Sequence, residues 1–194
     1  MKPKLNHSLK FSLTIAVITF VLAAIFSVIS SSILNHVTWL VGLIVVLIIV
    51  IIGIFFDMLG IASAAADEAP FHAMAAEKVK GAKEAIAIIK NADKFSSFCN
   101  DVIGDISGIV SGTATAAVLV QITQILGQSE GSSIGLALSV IFTSLVAALT
   151  VGGKAIGKHF AIHSSTNIII FTGRVIAFVE DKFKVRLLSK LLKK

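Results

Sequence analysis

Residues 37–56 read VTWLVGLIVVLIIVIIGIFF, a run of twenty residues without a charged side chain. An α-helix of this length, at ~1.5 Å per residue, crosses the ~30 Å hydrocarbon core of a bilayer. Comparable apolar runs occur at residues 11–34, 98–126 and 133–153. The sequence therefore predicts an all-α fold, an integral membrane helical bundle with about four transmembrane helices.

The seventeen Lys and Arg residues fall in three blocks, at residues 2–10, 78–94 and 154–194. Cationic side chains resist translocation across a bilayer and collect in cytoplasmic segments. Three of these residues precede the first run, five lie between the second and third, and nine follow the fourth. We therefore expect a multi-pass protein of the cell (plasma) membrane with both termini in the cytoplasm.

The N-terminus combines a basic segment, residues 1–10, with the apolar run 11–34. A secretory signal peptide has the same order, but its apolar part is only ~7–15 residues long. We interpret residues 1–10 as a cytoplasmic N-terminus and residues 11–34 as an uncleaved anchor. Cleavage near Ala23 or Ser31 is the alternative.

The composition and motifs exclude several classes of protein. Hydrophobic residues make up 56% of the chain and the mean hydropathy is +0.95, whereas a soluble domain is more polar. The net charge of +6 lies mostly in the predicted cytoplasmic segments, which favours a bilayer with anionic headgroups as partner rather than nucleic acid. The chain has no His-Glu-x-x-His motif and no pair of His at ligand spacing within a predicted span, so we predict no enzyme and no cofactor. We interpret His72, His159 and His163 as solvated or interfacial side chains, and we assign the single Cys99 no role.

Two segments outside the spans are amphipathic. In the cytoplasmic segment 62–97, apolar residues recur at helical intervals, at Val79, Ala82, Ile86 and Ile89. Pro70 fits a helix start, and residues 91–93 fit a turn back into the membrane. The tail, residues 166–194, combines basic residues with an apolar stripe made of Ile176, Val179, Phe183, Leu187 and Leu191. We interpret the tail as a basic amphipathic helix anchored on anionic lipid, with docking on a partner protein as the alternative.

The third apolar run contains two carboxylates, in the stretch FCNDVIGDISGIVSGT at residues 98–113. Asp101 and Asp105 are four residues apart and share a face of an α-helix. A charged side chain within a membrane is costly, so it normally faces a bundle interior or a wet cavity and has a function. The same run has glycines at every fourth position, a pattern that lets helices pack closely, at Gly104, Gly108 and Gly112.

Antiparallel spans would bring Asp57, Asp101, Asp105 and Lys154 to a similar depth. Two interpretations remain open. Lys154 neutralises one aspartate in a packing cluster, or the carboxylates form a hydrated cation site, since magnesium prefers oxygen ligands and keeps several waters. The candidate metal ligands are Asp57, Asn100, Asp101, Asp105, Ser107 and Ser111.

Three glycines surround Lys154, at Gly152, Gly153 and Gly157. Each weakens a continuous helix by ~1 kcal/mol relative to alanine. The helix therefore either ends there or unwinds and exposes backbone carbonyls at an ion site. We therefore treat Lys154 and these three glycines together as a candidate site for an ion pair or a gate.

The chain resembles the transmembrane domain of the cyclin-M and CorB/CorC magnesium transporters over about residues 40–165. The corresponding pieces are FFD at 55–57, AAEKVKGAK at 75–83, VIGD at 102–105 and GKAIGK at 153–158. The resemblance implies a homodimer that transports or exports a divalent cation, with magnesium as the transported ion.

This sequence departs from that family at several site positions. Lys154 stands where the family has Glu, and Gly157 stands where it has Pro. Asp57 takes the place of a Ser, and Asp105 that of an Asn, although Asn100 or Asp101 also fits the last position with a different gap. These exchanges are consistent with an internal ion pair in place of the metal, or with a changed cation.

The chain also has the extra first span 11–34, and we expect none of the paired cytoplasmic regulatory domains that the larger family members carry. We predict a divalent-cation transporter that uses intramembrane carboxylates. The alternative is a membrane scaffold that does not transport, binds a partner or lipid, and has an Asp-Lys pair at the former ion site.

Overall fold

The computed structural model of the chain describes residues 2–34, 36–127 and 132–183, and within them it contains helices but no strand. The elements are α1 (Lys2–Leu34), α2 (Trp39–Ala65), α3 (Ala69–Ala76), α4 (Ala82–Lys90), α5 (Ala92–Ser97), a π-helix (Phe98–Gly104), α6 (Asp105–Ile125), α7 (Ser133–His163) and α8 (Ser165–Phe183).

Four stretches of the described helices are long and apolar enough to cross a membrane, namely Ser12–Leu34, Trp39–Ala65, Ala92–Ile125 and Ser133–His163. The predicted all-α bundle with four spans is thereby confirmed. The third stretch is built from α5, the π-helix and α6 in succession. The predicted tail, residues 166–194, is helical as far as it is described, in α8 up to Phe183. Residues 184–194, with Leu187 and Leu191, lie outside the described part of the chain.

The second and fourth spans are longer than the sequence predicted. Helix α2 continues past Phe56 to Ala65, and α7 continues through all three glycines around Lys154 to His163. The predicted helix end or unwound turn at these glycines is therefore wrong, and their carbonyls lie within a regular helix. Close packing explains one of them, because a Cβ atom at Gly153 would overlap the side chain of Ile54.

The segment 62–97, which we predicted to be cytoplasmic, contains three short helices, α3, α4 and α5, where the sequence favoured one. The break between α3 and α4 contains Lys78 at φ 58° and Gly81 at φ 88°, both in the left-handed region that ends a right-handed helix. Pro70 lies in the first turn of α3, as predicted, and the predicted turn at residues 91–93 falls at Asn91, between α4 and α5.

The chain divides into two compact units, and unit 1 consists of Met1–Ile54 and Val102–Gly153. One of its clusters is formed by Leu34, Val46, Ala114 and Val118, and the other by Val102, Ile106 and Val110. At the end of α1, Gln121 Nε2 donates a hydrogen bond to the carbonyl oxygen of Leu34 at 2.8 Å. This bond satisfies a carbonyl at a helix end, which has no partner within its own helix.

Unit 2 consists of Phe55–Asp101 and Lys154–Lys194, and its core lies where α8 packs on α3 and α4. The buried residues are Ala62, Phe71, Ala82, Ala85, Ile88, Ala161, Ile169 and Ile170. Helices α4 and α8 approach closely across two glycines. A Cβ atom at Gly173 would overlap the carbonyl oxygen of Gly81, and one at Gly81 would meet the backbone of Arg174.

We expect Gly173→Ala to destabilise the protein by about 1–3 kcal/mol, because the new methyl group meets backbone atoms that cannot rotate away. The matched control is Gly152→Ala, where the added Cβ would have no atom within 4 Å. That variant should keep or slightly raise the Tm, since alanine is the better helix former. Thermal unfolding of the detergent-solubilised chain, followed by scanning fluorimetry, measures both. Equal Tm values for the two variants would contradict the close approach of α4 and α8.

Candidate ion site

Lys154 and Asp57 form an ion pair in unit 2. Lys154 Nζ on α7 lies 3.5 Å from Asp57 Oδ1 on α2, and the two side chains are 26% and 16% exposed. Among the aspartates that the sequence offered as partners of Lys154, the structure places Asp57 beside it. The pair is more sheltered than a typical surface salt bridge and less so than a fully buried one.

Asn100 lies in the π-helix and packs against Gly60, whose missing Cβ leaves room for the amide. Its Nδ2 donates to Ser96 Oγ at 3.3 Å, while its Oδ1 is buried and has no hydrogen-bond partner. A buried oxygen without a donor is energetically costly and has lone pairs available for a cation. Gly60 lies three residues after Asp57 on α2, a spacing that puts both on the same side of the helix.

The π-helix Phe98–Gly104 changes the relation between the two intramembrane aspartates. A π-helix has i→i+5 hydrogen bonds and therefore more residues per turn than an α-helix. The predicted α-helical spacing of Asp101 and Asp105 does not hold here, since the π-helix includes Asp101 and ends at Gly104. Sequence analysis missed this element because the composition of the segment is that of an ordinary helix.

Asp101 and Asp105 are exposed, while Val102 and Ile106 next to them are only 1% and 4% exposed. The buried face of α6 therefore excludes both aspartates and consists of apolar and hydroxyl side chains. Among the described residues, no group of three or more His, Cys, Asp or Glu side chains could hold a metal ion. Asp57, Asp101 and Asp105, which we expected at one ion site, therefore do not form a group of three carboxylate ligands.

Unit 1 contains a cavity of about 260 Å³ between α6 and α7. It is lined by Gly108, Ser111, Gly112, Thr115, Thr143, Val146, Ala147, Thr150 and Val151. No atom lies within 4 Å of a Cβ position built on Gly108 or Gly112. These two glycines, predicted to pack against a helix, face open space within this chain. Gly104 differs, because its carbonyl oxygen lies 3.7 Å from a Cβ built on Gly53.

Hydroxyl groups on both helices line this cavity. Each donates its proton to a carbonyl oxygen of its own helix: Ser111 to Gly108 at 2.9 Å, Thr115 to Ser111 at 2.7 Å, Thr143 to Ser139 at 2.6 Å and Thr150 to Val146 at 2.7 Å. A hydroxyl that donates in this way keeps its lone pairs available for water or a cation.

Two of the predicted ligands on α6 differ in their relation to this cavity. Ser111 lines it, whereas Ser107 donates to the carbonyl oxygen of Ile103 at 2.8 Å and packs against Gly53. Asp105 precedes Gly108 by three residues on α6. Its backbone position is therefore about 4.5 Å along the helix axis from that of Gly108, and Asp105 itself does not line the cavity.

The described histidines do not contribute to a metal site with three ligands. The rings of His159 and His163 lie with their centroids 4.2 Å apart, and His163 Nδ1 is 2.9 Å from the carbonyl oxygen of His159.

His72 lies outside the spans, where its Nε2 is 2.7 Å from Glu68 Oε1, and Lys90 Nζ approaches the same oxygen at 3.4 Å. The hydrogen bond from His72, and then the contact with Lys90, lowers the pKa of Glu68 below its ordinary value.

The fold and these sites define the class of the protein: an all-α chain whose described part has four helices long and apolar enough to cross a bilayer. Comparison with protein-family models, curated proteins and solved structures gives no match. The resemblance to the cyclin-M and CorB/CorC transporters stays a prediction from the residues that carry it.

We expect Lys154→Gln and Asp57→Asn each to lower the free energy of unfolding, and the double variant to lose less than the sum. The coupling energy should be about 1–3 kcal/mol, between the values for exposed and fully buried pairs. A double-mutant cycle on the detergent-solubilised protein measures it. The control is the pair of Lys80 and Asp181, 3.4 Å apart with side chains 64% and 73% exposed. Strictly additive effects at Asp57 and Lys154 would contradict the ion pair.

Glu68 gives a pH-dependent prediction. Since its folded-state pKa is lowered, its carboxylate adds stability above the ordinary pKa, and this contribution is lost as the pH falls through the folded-state value. Glu68→Gln should therefore lower the Tm slightly at neutral pH, and the difference from wild type should disappear once the pH has fallen through the lowered folded-state pKa. Scanning fluorimetry across this range measures it, with Glu77→Gln as control. A Tm difference that persists in acid would show that the stabilisation does not come from the ionised carboxylate of Glu68.

Proposed function

We propose that this chain is an integral membrane transporter or efflux protein for a divalent cation of the magnesium type. The observation that carries the proposal is the cavity of unit 1, whose lining includes Gly108, about one helical turn after Asp105 on α6. A carboxylate within a membrane is costly unless it meets water, a cation or a partner group. In this proposal the cavity holds water and the transported ion near Asp105.

The size of the cavity suits a hydrated ion, and four hydroxyl groups lie in its otherwise apolar lining. Its volume of about 260 Å³ far exceeds what one water molecule needs. Magnesium usually keeps several of its waters and is held by only one or two carboxylates, without a dedicated cage of protein ligands. Asp105 together with the oxygens of Ser111, Thr115 and Thr150 would bind the ion through its water shell. A site of this kind needs no cluster of three carboxylates.

The proposal includes an orientation and an assembly. The three blocks of basic residues support a plasma-membrane protein with both termini in the cytoplasm. The resemblance to the transporter family supports a homodimer. The exposed Gly112 would then lie at or near a surface that a second copy could cover.

A second candidate function is a membrane scaffold that binds lipid or a partner and does not transport. The ion pair of Lys154 and Asp57 favours it, because the ammonium group supplies the positive charge that a bound cation would otherwise bring. In that case the pair is permanent and has a structural role.

Magnesium efflux from cells loaded with a fluorescent magnesium indicator separates the two candidates. We expect wild-type efflux above background, and Asp105→Asn to slow it by about tenfold or more, equivalent to ~1.4 kcal/mol in the barrier. Thr150→Val, which removes one cavity hydroxyl at nearly constant volume, should slow efflux less. Asp93→Asn serves as the matched control, since Asp93 is exposed on α5 and does not line the cavity.

Expression and membrane insertion of every variant are checked in the same cells. No efflux from well-inserted wild type would exclude transport of magnesium and favour the scaffold. Wild-type efflux that Asp105→Asn leaves unchanged would exclude the role of Asp105 and retain the transporter.

A further inference from the structure

Helix α8 has two apolar faces. One is buried against α3 and α4, through Ile169, Ile170, Gly173 and Ala177. The other carries Phe171, Val175 and Phe178, whose side chains are 57%, 46% and 57% exposed. Residues spaced by four and three positions form a single stripe along a helix. A stripe of large apolar side chains opposite a buried face indicates a second docking surface.

Cations accompany this exposed stripe. Lys182 Nζ lies 5.8 Å from the ring centroid of Phe178, and Arg174 is exposed between Phe171 and Phe178 in sequence. The nearby Asp181 is paired with Lys80 at 3.4 Å. In sequence, residues 184–194 add five further Lys and Arg and no acid. Apolar side chains with a cationic border suit the headgroup layer of an anionic bilayer.

The length of α7 places α8 at the membrane surface. Helix α7 has 31 residues, which makes it ~46 Å long, against ~30 Å for the hydrocarbon core and ~40–45 Å for the core with its headgroup layers. Its last turns still expose large apolar side chains, with Ile156 at 62% and Phe160 at 58%. Only Ser164 separates α7 from α8. Helix α8 therefore begins at headgroup level.

We infer that the face of α8 formed by Phe171, Val175 and Phe178 inserts into the headgroup region of an anionic leaflet, with Arg174 and Lys182 contacting lipid phosphates. This surface differs from the stripe that the sequence indicated, since Ile176 packs against the protein core. The inference does not depend on ion transport. It assigns α8 two roles, one face for the core of unit 2 and one for lipid.

Tryptophan fluorescence in bilayers tests this inference. Trp39→Phe removes the only native tryptophan, and Phe178→Trp or Phe171→Trp places a reporter on the exposed stripe. Replacing Phe171 or Phe178 does not disturb the core, because both of these side chains are more than half exposed. Glu77→Trp, on another exposed position of unit 2, is the matched control. The full-length variants are reconstituted in bilayers of phosphatidylcholine with phosphatidylglycerol, with bromine on the acyl chains of one lipid at a time.

Brominated lipid should quench the reporters at 171 and 178 about twofold or more above the control, as a helix face inserted ~5–10 Å into the bilayer requires. Brominated phosphatidylglycerol should quench more than brominated phosphatidylcholine at equal amounts, and Lys182→Gln should reduce this preference. Quenching by aqueous iodide instead of lipid would show a solvated face and overturn the inference. Resistance to both quenchers would show coverage by protein, such as a second copy, and would also overturn it. Equal quenching by the two lipids would overturn the anionic specificity.

Discussion

In the hydrocarbon core of a bilayer no water is available to satisfy backbone N–H and C=O groups, and this constraint determines most of the structure. It explains the four long helices. It also explains the hydroxyl side chains within them, which donate to carbonyl oxygens three or four residues earlier in the same helix. An ionised carboxylate has no proton to donate and cannot be satisfied in this way. Asp57 is instead paired with Lys154, and Asn100 packs closely against Gly60.

Glycine has two different roles in these helices. At Gly53, Gly60 and Gly153 a Cβ atom would overlap a side chain of a neighbouring element, so the missing methyl group allows close packing. At Gly108 and Gly112 a Cβ atom would meet nothing within 4 Å, and the missing methyl group enlarges a cavity. The sequence pattern is the same in both cases. Only the position of the neighbouring helix decides whether a glycine brings two backbones together or keeps space between them.

The spans could be predicted from sequence because membrane insertion depends on composition averaged over a helix, which a linear sequence reports directly. The start of α3 at Pro70 and the turn at Asn91 follow from local backbone chemistry. Contacts between side chains could not be predicted, because they depend on rotation about each helix axis. One π-helical segment, which includes Asp101 and ends before Asp105, shifts that rotation between the two aspartates. The continuation of α7 through Gly152 and Gly153 was missed because helix propensity measured in water overstates the cost of glycine in an apolar, packed helix.

The length of α7 has a consequence for the membrane in which the protein resides. The apolar part of this helix, residues 133–153, is ~32 Å long and matches an ordinary hydrocarbon core, whereas the part with Lys154 and Lys158 extends beyond it; a change in bilayer thickness is accommodated by tilting. In a thicker bilayer it tilts less, and in a thinner one it tilts more. Bilayer thickness therefore acts as a mechanical variable on α7, and a cell that sorts its proteins between thin and thick membranes would set the tilt of this helix by where it places the protein.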